Sequence, residues 1–162
     1  MAPDPKPSAA IAWKIRPFRA TDAPAIAEIL RDSVEAAQWP PESYAKLAES
    51  PGGLVLVCDA SGKPVGFVAA RQAADEAEIL NIAVHGDLRG KGIASALLLA
   101  ALDEFRRSAI ACVFLELRES NLPALGLYNR HGFTPSGRRK AYYHHPDEDA
   151  VCMLRKLTGS SG

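Results

Sequence analysis

The chain has 162 residues and a mass of 17.3 kDa, enough for one ordinary hydrophobic core and too little for two. Its 48% hydrophobic and 23% charged residues are those of a folded globular chain, and 19 basic residues balance 19 acidic ones, which argues against a chain-wide basic face for nucleic acid. The longest nearly apolar stretch, residues 93–102, is broken by Ser95 and falls short of the roughly 18 residues a membrane helix needs; no basic-then-apolar signal opens the chain, so the expectation is a cytoplasmic protein with neither membrane nor nucleic acid as a partner.

In chain order, residues 1–12 carry Pro3, Pro5 and Pro7 and read as a flexible leader, and 158–162 as a Gly/Ser tail. A single domain over 13–157 lies between them. Residues 13–19 form a first strand. Thr21 or Asp22 then caps a helix with Pro24 in its first turn and Ile26, Ile29, Leu30 and Val34 along one face. Trp39-Pro40-Pro41 breaks the chain before a second helix through Tyr44 and Leu47. Strands follow at 53–59, at 64–71 after the Ser61-Gly62 turn, and at 76–84. A glycine-bearing loop leads into an apolar helix from Gly92 to about Arg107. Residues 110–118 form a strand that is apolar on both faces save for one acid, and 121–131 a helix stopped by Gly132. Strands at 133–141 and 150–157 close the chain. The order βααβββαβαββ predicts a single-domain α/β fold with a mixed sheet. It is parallel only between 76–84 and 110–118, where a helix crosses over.

Cys58, Cys112 and Cys152 each sit in an apolar run far from one another, which predicts buried free thiols rather than disulfides. His85, His131, His144 and His145 show no metal-ligand spacing, so no metal is expected.

The most informative string is Arg89-Gly90-Lys91-Gly92-Ile93-Ala94, which follows a strand and opens a helix. Amides without partners at a helix start, together with the positive end of its dipole, bind anions. Gly90 and Gly92 let a phosphate approach the backbone, and Arg89 and Lys91 add charge. The same residues also suit a plain strand-to-helix turn with solvated charges. Neither a Walker loop nor a Rossmann fingerprint is present.

Arg89-x-x-Gly92-x-Ala94 resembles the (Q/R)xxGx(G/A) pyrophosphate loop of the GCN5-related N-acetyltransferases, and the element order resembles their fold over nearly the whole chain. Several further strings resemble the bacterial ribosomal-protein N-terminal-alanine acetyltransferases within that superfamily. They are Leu80-Asn81-Ile82-Ala83-Val84, Leu115-Glu116-Leu117-Arg118-Glu119-Ser120-Asn121, Ala124-Leu125-Gly126-Leu127-Tyr128, Gly132-Phe133, Tyr142-Tyr143 and Glu148-Asp149-Ala150. The chain departs from that branch at Gln38-Trp39-Pro40, at His85-Gly86 and at His144-His145.

The resemblance implies acetyl-CoA as cosubstrate, with its pyrophosphate on Arg89, Gly90, Lys91, Gly92, Ile93, Ala94 and Ser95. It implies that the pantetheine pairs like an added strand with Ile82, Ala83 and Val84, between two parallel strands that splay apart. On local grounds Ile82 and Val84 are equally core residues. Glu116 interrupts an apolar strand, where a carboxylate needs a partner. It reads either as a strand-end acid paired with Arg118 or, by the resemblance, as the general base. Tyr128 is core by its helical spacing and, by the resemblance, the acid that protonates the departing thiolate. Asn121 is an N-cap that in relatives also contacts CoA. Trp39, Tyr142 and Tyr143 either cover the sheet edge or wall a narrow acceptor slot with an acid such as Glu42 nearby.

The implied reaction is acetylation of the N-terminal α-amine of a protein, with an alanine-first ribosomal protein as the partner. The alternatives are a small-molecule amine or a lysine as acceptor, or a non-catalytic acetyl-CoA-binding module.

Overall fold

Among the described residues, seven strands and four α-helices follow one another in the order the sequence predicts. The computed structural model describes residues 12–157; the expected tail, and the expected leader apart from Ala12, lie outside the described residues. The strands are β1 (Trp13–Pro17), β2 (Gly53–Ala60), β3 (Lys63–Ala73), β4 (Glu76–Val84), β5 (Cys112–Arg118), β6 (Thr134–Tyr143) and β7 (Glu148–Lys156). The helices are α1 (Ala23–Arg31), α2 (Pro41–Glu49), α3 (Ile93–Arg107) and α4 (Leu122–Arg130). They build one sheet in the order β1-β2-β3-β4-β5-β7-β6, antiparallel except for the β4–β5 pair. The crossover through α3 is the kind of connection a parallel pair requires.

Two apolar layers hold the sheet. On one face α3 buries Leu97, Leu98, Leu102 and Phe105 completely, each contributing roughly 1.5–3 kcal/mol. They pack with Val113, Leu115 and Leu117 of β5 and with Leu127 and Tyr128 of α4 in one cluster. On the other face α1 and α2 bring Ile26, Ile29 and Tyr44 against Val55, Val57 and Phe67. These two helices pack mainly over β2, β3 and β4. The same face of β5 and β7 is therefore uncovered.

Local differences from the sequence reading have identifiable causes. β5 starts at Cys112, and its apolar run is not doubly buried: Val113, Leu115 and Leu117 are core, while Phe114, Glu116 and Arg118 alternate onto the uncovered face, half-buried. Helix α1 stops at Arg31, so Val34, expected on its apolar face, is 77% exposed. Asp22 takes the N-cap position of α1, as expected, but its side chain makes no cap hydrogen bond. Its carboxylate instead accepts from both terminal nitrogens of Arg16 at 2.8 and 2.9 Å and from the Arg19 amide at 2.7 Å, while Arg16 Nε donates to Asp59 at 2.8 Å. The cluster ties β1 to β2 and to the start of α1. Of the three free cysteines, Cys58 is buried, with burial and neighbouring Asp59 pushing its thiol up to about 11, whereas Cys112 and Cys152 are only half-buried.

The feature that shapes the site is where β4 and β5 part. Their pairing runs from Glu76↔Cys112 to Ile79↔Leu115 and stops. At that point Ala69 of β3 faces Asn81 while Ala70 faces Ile79, so Leu80 is an extra residue in β4. A bulge of this kind bends the strand that carries it. Beyond it, Leu80–Val84 keeps β3 on one side and has an open backbone edge on the other, opposite the open edge of Glu116–Arg118. The predicted splay is present, and the bulge at Leu80 accounts for it. Among the described residues no helix is long and apolar enough to cross a membrane.

Candidate active site

The loop after β4 enters α3 through two residues in the left-handed region, Gly90 at φ +77° and Gly92 at φ +87°. Gly92 is the N-cap of α3 and supplies no side-chain cap, and the first helical bond joins the Ala96 amide to the Gly92 carbonyl. The amides of Ile93, Ala94 and Ser95 are thereby left without helical acceptors at the positive end of a 15-residue helix. A Cβ built on Gly90 or Gly92 would meet nothing within 4 Å, so the space over these amides is open. An unpaired strand edge and this amide cradle, one on each side of Val84, fit the pantetheine and the diphosphate of acetyl-CoA.

Arg89 behaves differently from the expectation. Its guanidinium does not face that opening: it donates to the Asp32 carbonyl at 2.5 Å, the Ser33 hydroxyl at 3.1 Å and the Val84 carbonyl at 3.3 Å. Arg89 anchors the loop to the end of α1, and both it and Lys91 are exposed. Ser95 is partly buried, with its hydroxyl 3.1 Å from His131 Nε2. Ile93 is a core residue and Ala94 packs against the core.

Beyond the bulge Val84 and Ile82 turn toward the α3 side and Ala83 toward the α1 side. The core reading of this segment holds, with Val84 and Ala83 buried and Ile82 packed against the core, and its backbone edge toward β5 is not paired. Asn121 is the N-cap of α4, its side-chain oxygen accepting from the Ala124 amide at 3.3 Å. Gly132 ends that helix at φ +84°.

Glu116 is the first residue of β5 past the paired segment, and it stands on the uncovered face with 22% of its side chain exposed. Its partner is not Arg118 but Arg139 of β6, whose Nε lies 2.7 Å from Oε1. Cys152, directly across the β5–β7 register, brings its sulfur to 4.0 Å from the same oxygen. A groove of about 370 Å³ opens here, with Phe114, Glu116, Arg139 and Cys152 among its walls.

Tyr128 approaches the splayed strands from the opposite face, 4% exposed and 5.4 Å from the Phe133 ring. Burial alone pushes its phenol well above the ordinary range, with no hydrogen bond contributing. No buried side-chain oxygen among the described residues lacks a partner, so the hydroxyl reaches accessible space while the ring is core.

The expected aromatic trio is divided by the structure. Trp39 packs on Tyr44, with ring centroids 5.7 Å apart. Tyr142 and Tyr143 pair edge-on at 5.1 Å, Tyr143 under Arg118 at 4.6 Å and Tyr142 near Arg139 at 5.4 Å. Burial first, and then Glu116, push the Tyr143 phenol up to about 12. Arg139 and Cys152 were not legible as site residues, because both reach Glu116 only through the β5-β7-β6 pairing. Among the described residues no cluster of three or more His, Cys, Asp or Glu could hold a metal ion.

The model of the Acetyltransferase (GNAT) family matches residues 23–133. The chain belongs to that family. Its fold and its splayed strands are thus those of a GNAT acetyltransferase, and it is an acetyl-CoA-dependent N-acetyltransferase. A Bacillus subtilis (strain 168) protein named, provisionally, a [ribosomal protein bS18]-alanine N-acetyltransferase is 34% identical over 140 residues, which cover 86% of this chain and 92% of that one. The crystal structure of the ribosomal-protein-S18-alanine N-acetyltransferase from Escherichia coli superimposes with a TM-score of 0.79 at 30% identity, over 93% of this chain and 99% of that one. That of Ard1 from Thermoplasma volcanium does so with a TM-score of 0.83 at 27% identity, over 92% and 100%.

Proposed function

We infer that this acetyltransferase acts on the N-terminal α-amine of a protein, with an alanine-first ribosomal protein as the acceptor, Glu116 as general base and Tyr128 as general acid. The observation that carries the reading is the position of Glu116: a carboxylate on the open face, at the point where β4 and β5 separate. Bound acetyl-CoA supplies the activated acetyl group. The open edge of Ile82, Ala83 and Val84 holds the pantetheine, and the amides of Gly90 to Ser95 hold the diphosphate.

From the uncovered face an acceptor amine meets Glu116, which takes its proton directly or through water. The Arg139 guanidinium, 2.7 Å from Glu116 Oε1, holds that side chain in place on the open face. A backbone N–H near Val84 stabilises the charge that develops on the acetyl oxygen. Tyr128, on the far side, is fully protonated at neutral pH. As the thiolate of coenzyme A departs, the Tyr128 hydroxyl donates its proton to it.

Amine chemistry supports the same acceptor. An α-amine titrates near 7.7–8.0 and a lysine near 10.4, so at pH 7.5 the α-amine is neutral a few hundred times more often, worth about 3 kcal/mol to a direct attack. The names of the relatives supply the ribosomal, alanine-first part of the reading. The test is acetyl-CoA consumption against peptides that differ in their first residue, beside acetylated-N-terminus lysine peptides and small amines. The expected result is turnover of the free alanine-first peptides well above the rest; preference for an internal lysine or a polyamine overturns the reading.

A further inference from the structure

Two loops border the open face where Glu116 stands. One joins α1 to α2 and carries Trp39; the other joins β6 to β7 and follows Tyr142 and Tyr143. Among the polar side chains that hold each loop, one comes from a strand that parts: Asn81 of β4 for the first and Arg118 of β5 for the second. Asn81 lies in β4, one residue past the bulge and 6% exposed. Its amide pairs with the backbone of Ala37 in both directions, Oδ1 accepting from the Ala37 N–H at 3.3 Å and Nδ2 donating to the Ala37 carbonyl at 3.0 Å. Nδ2 also lies 2.9 Å from the Tyr44 hydroxyl. A side-chain amide that imitates a strand partner fixes the loop in register as well as in place.

Arg118 lies in β5, two residues past Glu116. Its terminal nitrogens donate to the carbonyls of Pro146 at 3.1 Å and His144 at 3.2 Å, its plane covers the Tyr143 ring, and it pairs with Glu148 at 3.4 Å. Glu148 in turn accepts from the Ser120 amide and hydroxyl at 3.1 and 2.9 Å, just before Asn121.

We propose that Asn81 and Arg118 are positioning residues that fasten the two walls of the acceptor site to the two splayed strands. The width of that site is then set by the separation of β4 and β5. This rests on the acceptor side proposed above, and it adds a coupling: whatever fills the space between the strands fixes the acceptor walls.

The test uses Arg118→Met and, because Asn81 is buried, both Asn81→Ala and the milder Tyr44→Phe. Initial rates at saturating acetyl-CoA, with whichever amine the wild-type protein acetylates best, are expected to show acceptor KM raised tenfold or more for Arg118→Met and Asn81→Ala. For both, kcat is expected to fall less than threefold and the coenzyme A Kd to stay within twofold. Tyr44→Phe lies between them and the wild type. Hydrogen exchange, which needs no turnover, is expected to quicken at residues 36–39 in the Asn81 variant and at 144–147 in the Arg118 variant, with the amides of α3 unchanged. Unchanged exchange in these loops, or coenzyme A Kd rising in step with acceptor KM, overturns the proposal. Failure of the N-terminal reading is a separate result, since it appears in the amine preference of the wild-type protein alone.

Discussion

Replacing Gly92 by alanine separates an anion cradle from a simple turn. At φ +87° a residue with a Cβ is strained, by about 1–2 kcal/mol. In a domain of this size that lowers Tm by about 2–8 °C. The new methyl would touch no protein atom within 4 Å, so sterics within the chain add nothing to that cost. If the amides at this corner hold a diphosphate, the methyl stands in the ligand's space and one charge-assisted N–H contact is lost, about 1.5–3 kcal/mol. The coenzyme A Kd is then expected to rise about 10- to 150-fold. Gly62, in the β2–β3 turn, is the matched control: it has φ +88° and open space around a built Cβ, so Gly62→Ala has the same strain far from α3. Calorimetric titration with coenzyme A and thermal unfolding of both variants read the two effects apart. Equal losses of Tm with coenzyme A affinity changed in neither variant, or in both alike, refute the cradle.

Other consequences follow from the same coordinates. Glu116→Gln and Tyr128→Phe are each expected to lower kcat by roughly 10²–10⁴ with coenzyme A affinity within twofold, read from steady-state rates beside direct binding. A Cβ on Gly66 would sit 3.2 Å from the Ala83 carbonyl oxygen, Ile93 Cγ2 and Leu97 Cδ1. Gly66→Ala is therefore expected to cost about 1–3 kcal/mol in denaturant unfolding and, because Ile93 opens α3, to weaken coenzyme A as well. Burial would raise the Asp22 carboxyl, but Arg16 and the Arg19 amide outweigh it and leave it lowered, and Arg16 lowers Asp59 too. A lowered carboxyl stabilises the fold above its unfolded value near 3.9 and loses that contribution as pH falls through the folded one. Unfolding of the wild type is thus expected to become easier below about pH 4, while the deficit of Arg16→Met shrinks over the same interval. A deficit independent of pH argues against the ion cluster.

What the sequence made legible was whatever depends on neighbours along the chain. The element order, the glycines of the α3 entry, the Asn121 cap and the parallel β4–β5 pair all follow from local pattern and crossover length. The location of Glu116 past the paired segment was legible only in outline, as an acid in an apolar run. That it stands on an uncovered face depends on where α1 and α2 pack, which is over β2, β3 and β4. Its partner Arg139 and neighbour Cys152 arise from a sheet order in which β7 inserts between β5 and β6. Arg89 was read by its charge, but the Asp32 and Ser33 groups that hold it lie 57 and 56 positions away in sequence. Asn81 carried a usable signal, a lone amide inside Leu80-Asn81-Ile82-Ala83-Val84, and burial with two backbone partners explains it.

All of this rests on coenzyme A lying between β4 and β5 with its phosphates at the start of α3. An amide-resolved NMR titration with coenzyme A tests that most directly. The account predicts saturable shifts concentrated at residues 80–84 and 90–95, with the β1–β2 end of the sheet unmoved; shifts centred on any other surface, or none at millimolar coenzyme A, contradict it.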